Sequence, residues 1–198
     1  MAKHADHEKR RAAFAEAAFR ILARSGLTGL TVRDVAREAG FTTGALVHYF
    51  PSKSDLFLAA SEHAAIVVRP RMERDEVEHA GLEAVRHVIY DALPTTAQAR
   101  DLWSVWLVFW DRAKTDPVIG RLARVRYSEW HGRLARPFAR AQAAGEVDAS
   151  MDPELLAQTA TVLVDGIAVQ ALRTKARLSP ARQKALVDSW LTSLAKTP

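Results

Sequence analysis

Cysteine is absent from this sequence of 198 residues, and glycine and proline are sparse, with nine and eight copies. Without cysteine the chain can form no disulfide framework, no cysteine-based zinc site and no thiol nucleophile. Long hydrophobic runs are also missing, since a run such as residues 105–110 is far too short to span a bilayer. The charged N-terminus leads into no apolar segment of the kind that secretory signals have. We therefore expect a soluble, cytoplasmic protein that has no membrane partner.

Positive charge is concentrated in the first quarter of the chain. Residues 1–53 contain nine Lys and Arg against five Asp and Glu, whereas the rest of the chain contains nineteen against eighteen. Most of the net charge of +5 therefore lies near the N-terminus. A localised basic surface attracts polyanions such as nucleic acid, although a solvated helix face has the same composition.

Apolar residues recur at helical spacing along almost the whole chain, and no segment alternates as a strand does. The first segment has one apolar stripe, which is formed by Phe14, Ala17, Ala18, Ile21 and Leu22. Gly26 is placed to end that helix. Capping residues followed by proline mark the starts of three later helices, at Asp116-Pro117, Asp152-Pro153 and Ser179-Pro180. The pattern predicts later helices near 55–75, 82–93, 97–115, 117–144, 153–177 and 180–195, so the expected fold class is all-α.

Residues 32–51 have the pattern of a helix-turn-helix, in which a tight turn joins two short helices. Thr31 can cap the first helix by accepting a hydrogen bond from the Asp34 amide. Gly40 supplies the permissive backbone that the turn needs. The predicted inner faces are formed by Val35 and Ala36 in the first helix, and by Phe41, Leu46 and either Tyr49 or Phe50 in the second.

The outward side of the second helix suits contact with DNA. Its predicted members are Thr42, Thr43, Gly44, Ala45, Val47 and His48. Small side chains let a helix sit deep in the major groove, and threonine hydroxyls and apolar methyl groups can contact base edges. Lys53, His48 and the Tyr49 hydroxyl can reach phosphates. Singly, each residue can be a helix cap, a core residue or a solvated charge; as an ordered set in one short segment they indicate DNA binding.

Through most of residues 10–58 the sequence resembles the N-terminal domain of TetR-family transcriptional regulators. The resemblance is clearest from Gly26-Leu-Thr-Gly-Leu-Thr31 through Gly40 to His48-Tyr49-Phe50-Pro-Ser-Lys53. It implies a homodimeric repressor that a small-molecule effector releases from a pseudo-palindromic DNA operator. An N-terminal three-helix DNA-binding domain (1–53) would precede a larger helical domain for ligand binding and dimerisation (54–198).

The same resemblance assigns roles to single residues. It implies that Thr31, Arg33, Tyr49 and Lys53 touch phosphates, and it places the reading positions at Thr42, Thr43, Ala45, Val47 and His48. Many members of the family have an aromatic residue at the position of Val47 and a basic residue at that of Thr43. The operator sequence of better-known members therefore does not transfer to this chain.

A looser resemblance, over residues 100–175, is to the BetI type of choline-responsive repressors. The shared pattern is Trp106-Leu-Val-Phe-Trp110, Asp116-Pro117, Arg126, Trp130, Gly145-Glu-Val, Asp152-Pro153 and Val164-Asp165-Gly166-Ile167. This resemblance implies a subfamily of regulators rather than a shared ligand.

Six ring-bearing side chains are candidates for a ligand site. Trp103, Trp106 and Trp110 share one helix face, and Tyr127, Trp130 and His131 follow on the next helix. Such rings often simply fill a core, and that interpretation stays open. The alternative is an aromatic-walled pocket for a cationic or flat ligand held by cation–π contact. Asp111 or Glu129 would then supply the counter-charge.

The last two helices predict a dimer interface. The helix that follows Pro153 is apolar on more than one side, so a surface beyond its own core must cover it. Pairing both helices across a two-fold axis builds a four-helix interface, and an ordinary intramolecular bundle is the alternative. The predicted interface residues are Leu156, Thr159, Leu163, Ile167, Gln170, Leu186, Val187, Trp190 and Leu194.

The sequence contains no nucleophile elbow, phosphate-binding glycine loop or zinc-protease motif. A di-iron bundle needs two Glu-x-x-His motifs, and only Glu76 to His79 has that spacing. His4 and His7 have ligand-like spacing but lie in a terminus that we expect to be disordered. We therefore expect no enzyme, no metal and no cofactor. Two alternatives stay open: a DNA-binding regulator without a small-molecule ligand, acting as an activator or through a protein partner, and a helical ligand-binding module that binds no DNA.

Overall fold

The computed structural model describes residues 2–173 and 178–195, with the side chains of residues 2–4 and 69–78 left out. This part of the chain contains nine helices and no strand. They are α1 (Ala2–Gly29), α2 (Val32–Ala39), α3 (Thr43–Tyr49), α4 (Lys53–Glu78), α5 (Gly81–Ala92), α6 (Ala97–Ala113), α7 (Pro117–Ala143), α8 (Pro153–Arg173) and α9 (Pro180–Leu194). The prediction of an all-α fold is confirmed.

The chain divides into two compact units. The first unit consists of Met1–Val68 with Asp101–Asp116, and the second of Arg69–Arg100 with Pro117–Pro198. Helices α4 and α6 thus contribute residues to both units. The division at residue 53 into a DNA-binding and a ligand-binding domain is a division by function, and it stays a prediction.

In the first unit, α1 packs against α2, and α2 packs against α3. All five residues of the predicted apolar stripe of α1 are buried, as the helical spacing requires. The centre of this packing is Phe14, whose ring lies 4.9 Å from that of Phe41 and 6.5 Å from that of Phe50. Gly26, with φ of 63°, interrupts the helical backbone of α1, and a last helical turn then leads to Gly29.

Side-chain caps fix the starts of the short helices. The Thr31 hydroxyl accepts a hydrogen bond from the Asp34 amide at 3.1 Å, and the Ser52 hydroxyl accepts one from the Asp55 amide at 3.1 Å. In the second of these caps, the Asp55 carboxylate accepts from the Ser52 amide at 3.0 Å in return. Because each cap satisfies a backbone amide that has no partner within its helix, it fixes where the helix begins.

In the second unit, α7 packs against α5 and α8, and α5 also contacts α8 and α9. Prolines begin α7, α8 and α9, as predicted. The predicted extension of α8 to residue 177 lies outside the described residues. A polar cluster joins α5 to α9: the Tyr90 hydroxyl donates to the Asp188 carboxylate at 2.6 Å, and Arg86 Nε lies 3.1 Å from the same oxygen.

Helix α8 has the length and mean hydropathy, 1.5, that a membrane span requires, which the short apolar runs in the sequence did not indicate. The packing of the second unit accounts for much of this apolar character. One side of the helix is buried, and its buried members are Leu156, Ala157, Ala160, Thr161, Val164, Ile167, Ala168 and Ala171. A core helix of this length and composition meets the same criteria as a membrane span.

Candidate functional site

Gly40 and Thr42 fix the turn between α2 and α3. Gly40 has φ of 77°, which is a left-handed conformation that favours glycine, and its N–H is bonded to the Ala36 and Arg37 carbonyls. The Thr42 hydroxyl accepts a hydrogen bond from the Ala45 amide at 3.2 Å and so caps α3. On the inner side of α3, Leu46 is completely buried. The turn and this anchor together orient α3, so that its opposite side faces outward.

The outward side of α3 contains the residues that we predicted to read DNA. Thr42, Thr43, Gly44 and His48 are exposed and Ala45 is half-buried. Val47 keeps 45% of its surface exposed. An exposed valine next to exposed threonines gives the helix both the methyl groups and the hydroxyls that can contact base edges.

The predicted phosphate contacts differ in how free their polar groups are. Thr31 donates its hydroxyl to the Asp34 carboxylate at 2.6 Å. This hydrogen bond, together with the charges of Arg37 and Arg33, lowers the pKa of Asp34. The Thr31 hydroxyl is therefore already used within the cap. Arg33 and Lys53 are exposed, and neither is ion-paired with any residue that the structure describes.

Tyr49 joins α3 to α1. Its half-buried ring lies 5.5 Å from the ring of Phe14, 5.7 Å from that of His48 and 4.5 Å from that of His7. Phe50 is buried, so both aromatic residues that the sequence left as alternatives contribute to the anchoring side.

The expectation of a disordered N-terminus is wrong for His7. This residue lies within α1 and packs on Tyr49, because it stands seven residues, about two helical turns, before Phe14 and so shares its face. That spacing was the signal that could have revealed the contact. The side chain of His4 lies outside the described residues, as does that of Glu76 in the single Glu-x-x-His motif.

The six predicted ligand-site residues fall in both units. Trp103, Trp106 and Trp110 belong to the first unit, and Tyr127, Trp130 and His131 to the second. Trp103 is a buried core residue whose ring lies 5.6 Å from that of Trp110. Trp106 is half-buried, and its ring lies 5.4 Å from that of the buried Phe109. These tryptophans thus contribute to the packing of the first unit, while the pocket that we predicted from both sets stays a prediction.

In the second unit, two of the predicted rings are tied to α8. The Tyr127 hydroxyl donates to the Asp165 carboxylate at 3.1 Å, and the Trp130 Nε1 donates to the Thr161 hydroxyl at 2.9 Å. The ring of His131 lies 5.8 Å from that of Tyr127. Burial raises the pKa of Asp165, although the Tyr127 hydrogen bond and nearby His131 favour its charged form. Burial also raises the pKa of Tyr127.

Asp165 is an acidic partner of these rings that the sequence did not reveal. The two predicted counter-charges, Asp111 and Glu129, are exposed, and the Asp111 carboxylate lies 2.6 Å from Lys114. Asp165 is half-buried, and apart from Glu154 in the first turn it is the only acidic residue of α8. A lone carboxylate within an apolar helix was the available signal, because such a group needs a polar partner.

Helix α8 has an apolar side that the second unit leaves uncovered. Val162 is 72% exposed and Leu155 is 59% exposed, and both Thr159 and Gly166 on that side are exposed. Leu163 is half-buried beside them. Exposed apolar side chains gathered on one helix are typical of a contact surface.

The predicted interface residues differ in their exposure. Thr159 and Gln170 are exposed, and the half-buried members are Leu163, Leu186, Trp190 and Leu194. Leu156, Ile167 and Val187 are instead core residues of the second unit. They pack on the inner sides of α8 and α9, so the predicted interface keeps the other six residues.

Two family models match the chain. "Bacterial regulatory proteins, tetR family" matches residues 15–60, and "BetI-type transcriptional repressor, C-terminal" matches residues 81–196. The chain is 27% identical over 197 residues to the HTH-type transcriptional regulator PksA of Bacillus subtilis (strain 168), covering 98% of this chain and 94% of that protein. It is 32% identical over 145 residues to the HTH-type transcriptional regulator BetI of Burkholderia mallei (strain NCTC 10229), covering 71% of this chain and 73% of the relative.

Solved structures show the same fold. A Saccharomonospora viridis protein in complex with choline superposes with a TM-score of 0.89 at 25% identity, covering 96% of this chain and all of the other. A transcriptional regulator from Rhodococcus sp. Rha1 superposes with a TM-score of 0.83 at 24% identity, covering 95% and 99% of the two chains. The second likeness concerns the fold alone.

Proposed function

Because this chain belongs to the TetR family of bacterial regulatory proteins, we propose that it is a homodimeric repressor that leaves its operator when a small molecule binds. The proposal depends above all on the outward side of α3. There Thr43 and Val47 are exposed while Leu46 is buried beneath them, so a reading surface is held on a fixed helix. Its relatives are regulators rather than enzymes, and we place its activity in the cytoplasm, where bacterial operators are.

The exposed residues of the helix-turn-helix divide into two roles. We assign base contacts to Thr42, Thr43, Gly44, Ala45, Val47 and His48, and phosphate contacts to Arg33, Tyr49 and Lys53. Thr31 serves chiefly as the cap that orients α2, since its hydroxyl is bonded to Asp34. Phosphate contacts position a protein on the duplex, and base contacts select the sequence.

Binding to operator DNA is tested by fluorescence anisotropy with labelled DNA from the region upstream of the chain's own gene. We expect specific binding that exceeds binding to a scrambled duplex of the same composition by roughly 10³-fold or more. A protein that binds both duplexes with the same affinity would contradict the assignment of α3 as a reading helix.

Dimerisation is proposed to use the uncovered side of α8 together with α9. Leu155 and Val162 provide exposed apolar area, and Thr159 and Gly166 allow a close approach of a second helix. On α9 we assign the half-buried Leu186 and Trp190 to the same interface. A two-fold dimer matches a pseudo-palindrome whose half-sites lie about one DNA turn, roughly 34 Å, apart.

For the effector we propose a small organic cation, with choline as the first candidate. The Saccharomonospora viridis protein that shares this fold was solved in complex with choline. The second unit of this chain contains the aromatic rings of Tyr127 and Trp130 and the half-buried carboxylate of Asp165. Electron-rich rings with a nearby negative charge are the groups that bind quaternary ammonium ions.

The effector proposal is tested by adding choline to the preformed protein–operator complex. We expect operator affinity to fall by roughly tenfold or more, and we expect Asp165→Asn to remove the response without weakening DNA binding in the absence of choline. Glu129→Gln is the matched control, because it removes an exposed carboxylate from α7, the helix that contains Tyr127, and should keep the response. An unchanged affinity with choline and with other ammonium compounds would exclude a cationic effector.

One observation favours a regulator that has no small-molecule ligand. The Asp165 carboxylate is already bonded to the Tyr127 hydroxyl, and the Trp130 indole is bonded to Thr161. These groups are therefore satisfied within the unit and do not require a ligand. Unchanged tryptophan fluorescence and unchanged operator affinity across a broad metabolite panel would favour this second candidate.

A further inference from the structure

We propose that the N-terminal segment, defined as residues 5–12 of α1, adds a second DNA-binding surface to the helix-turn-helix. This inference rests on the operator binding proposed above. The family match in this part of the chain begins only at residue 15, so the segment lies before the residues that the family model describes.

Three side chains of the segment pack on aromatic rings of the helix-turn-helix. His7 lies 4.5 Å from the Tyr49 ring, and the Arg10 and Arg11 guanidinium carbons lie 5.9 Å and 5.4 Å from the rings of Phe41 and Phe50. The three residues share one helix face by their spacing of three and four residues. The segment is thus held against the turn that precedes α3 and against the end of α3.

The packed face remains accessible and contains two arginines. His7, Arg10 and Arg11 are all exposed. Arg10 is ion-paired with Asp6 at 2.9 Å, while Arg11 has no ion-pair partner among the residues that the structure describes. Since an arginine stem can cover an aromatic ring while its guanidinium stays in water, both arginines can pack and still bind an anion.

Phosphate is the anion that this position favours. His7 rests on Tyr49, to which we assign a phosphate contact, so the segment continues the proposed DNA surface beyond the end of α3. A guanidinium can donate two parallel hydrogen bonds to a phosphate. We therefore assign Arg10 and Arg11 to backbone phosphates of the operator, outside the base pairs that α3 reads, and His7 to the positioning of Tyr49.

The test measures how operator affinity depends on salt in the full-length protein. Log K falls as log salt concentration rises, and each phosphate contact adds about 0.9 to the magnitude of this slope, which is the quantity meant by slope below. We expect Arg10→Gln/Arg11→Gln to lower the slope by roughly 1 to 2, and the charge-preserving Arg10→Lys/Arg11→Lys to keep most of it. Arg11→Gln alone should lower the slope by about 0.9. This single variant replaces the double variant in the test if the double variant does not fold.

Two matched controls separate contact from general charge. Lys9→Gln removes a positive charge from the opposite face of the same segment, and Arg121→Gln/Arg124→Gln removes two exposed charges from α7; both should leave the slope unchanged. A wild-type slope in Arg10→Gln/Arg11→Gln, or an equal loss in the controls, would overturn this inference. If Lys53→Ala still weakens binding in that case, the proposed function survives. A wild-type protein that binds no operator would instead refute the proposed function itself.

Discussion

At the scale of the residue, Val47 and Lys53 are both exposed but present different chemistry to DNA. Val47 stands on the outward side of α3 and offers only methyl groups. Lys53 begins α4 and offers an exposed ammonium group. A methyl group distinguishes thymine from cytosine, whereas a phosphate contact is the same at every sequence. Substitutions at the two positions should therefore change DNA binding in different ways.

Lys53→Ala should weaken binding to all duplexes alike and lower the salt slope by about 0.9, because it removes one phosphate contact. Val47→Ala should instead change the relative affinity for single-base operator variants by an amount on the order of 1 kcal/mol. Anisotropy titrations against a panel of operator variants at several salt concentrations measure both effects. Equal effects of the two substitutions on every duplex would show that the roles are misassigned.

Tyr90 makes the link between α5 and α9 sensitive to alkaline pH. Its partial burial and its hydrogen bond to Asp188 raise the pKa of the phenol from 10.0 to about 12. Because the folded pKa lies above the unfolded one, the stabilisation is complete below about pH 10 and is lost as the pH rises towards 12. We expect Tyr90→Phe to remove this part of the pH dependence of the unfolding free energy and to remove one phenolate from the alkaline absorbance titration. If the phenolate that Tyr90→Phe removes titrates near pH 10.0 in the wild type rather than near pH 12, the pKa shift is contradicted.

At the scale of the element, the turn between α2 and α3 depends on one backbone conformation. Gly40 has φ of 77° and no neighbour within 4 Å of the position that a Cβ would occupy. A side chain at this position would therefore lower stability through the strained backbone conformation and not through a steric clash. For residues other than glycine this conformation costs about 1–2 kcal/mol.

Gly40→Ala should lower the free energy of unfolding by about 1 kcal/mol and should also weaken operator binding, since the turn orients α3. Gly44→Ala is the matched control for stability. Gly44 is exposed, has no atom within 4 Å of its Cβ position and has no positive φ, so alanine should fit without loss. Urea unfolding of both variants measures the difference, and equal stability would show that the left-handed turn is not required.

At the scale of the whole molecule, the uncovered side of α8 determines the state of assembly that we expect. Val162 is 72% exposed in the single chain, and a large apolar side chain in that position loses unfavourable contact with water when a second helix covers it. A charge placed there would have to be buried in the dimer, which is costly without a partner charge.

Val162→Glu should therefore convert a dimer into a monomer at micromolar concentration and reduce operator affinity, because two linked half-site contacts become separate ones. Val125→Glu is the matched control, since Val125 is a similarly exposed valine, at 54%, on α7. Sedimentation velocity of the wild type and both variants gives the oligomeric state. A monomeric wild type would overturn the proposed dimer. A dimeric Val162→Glu variant would show that the dimer interface does not include this side of α8.

The sequence by itself determined the helices and the outward side of α3. The stripe at Phe14, the caps at Thr31 and Thr42 and the turn at Gly40 are signals read within a few residues, because a helix and its ends depend on neighbouring side chains and amides. Such signals were sufficient to separate Leu46, inside, from Val47, outside.

Only the tertiary structure decided which sides of the other helices are covered. It buried Leu156 and left Leu155 exposed, although both are leucines in one apolar helix. It also joined Tyr127 to Asp165 across 38 positions of sequence, and it placed His7 on Tyr49. These pairings depend on how distant helices pack against one another, and helical spacing along one segment carries no information about the partner that the rest of the chain brings to it.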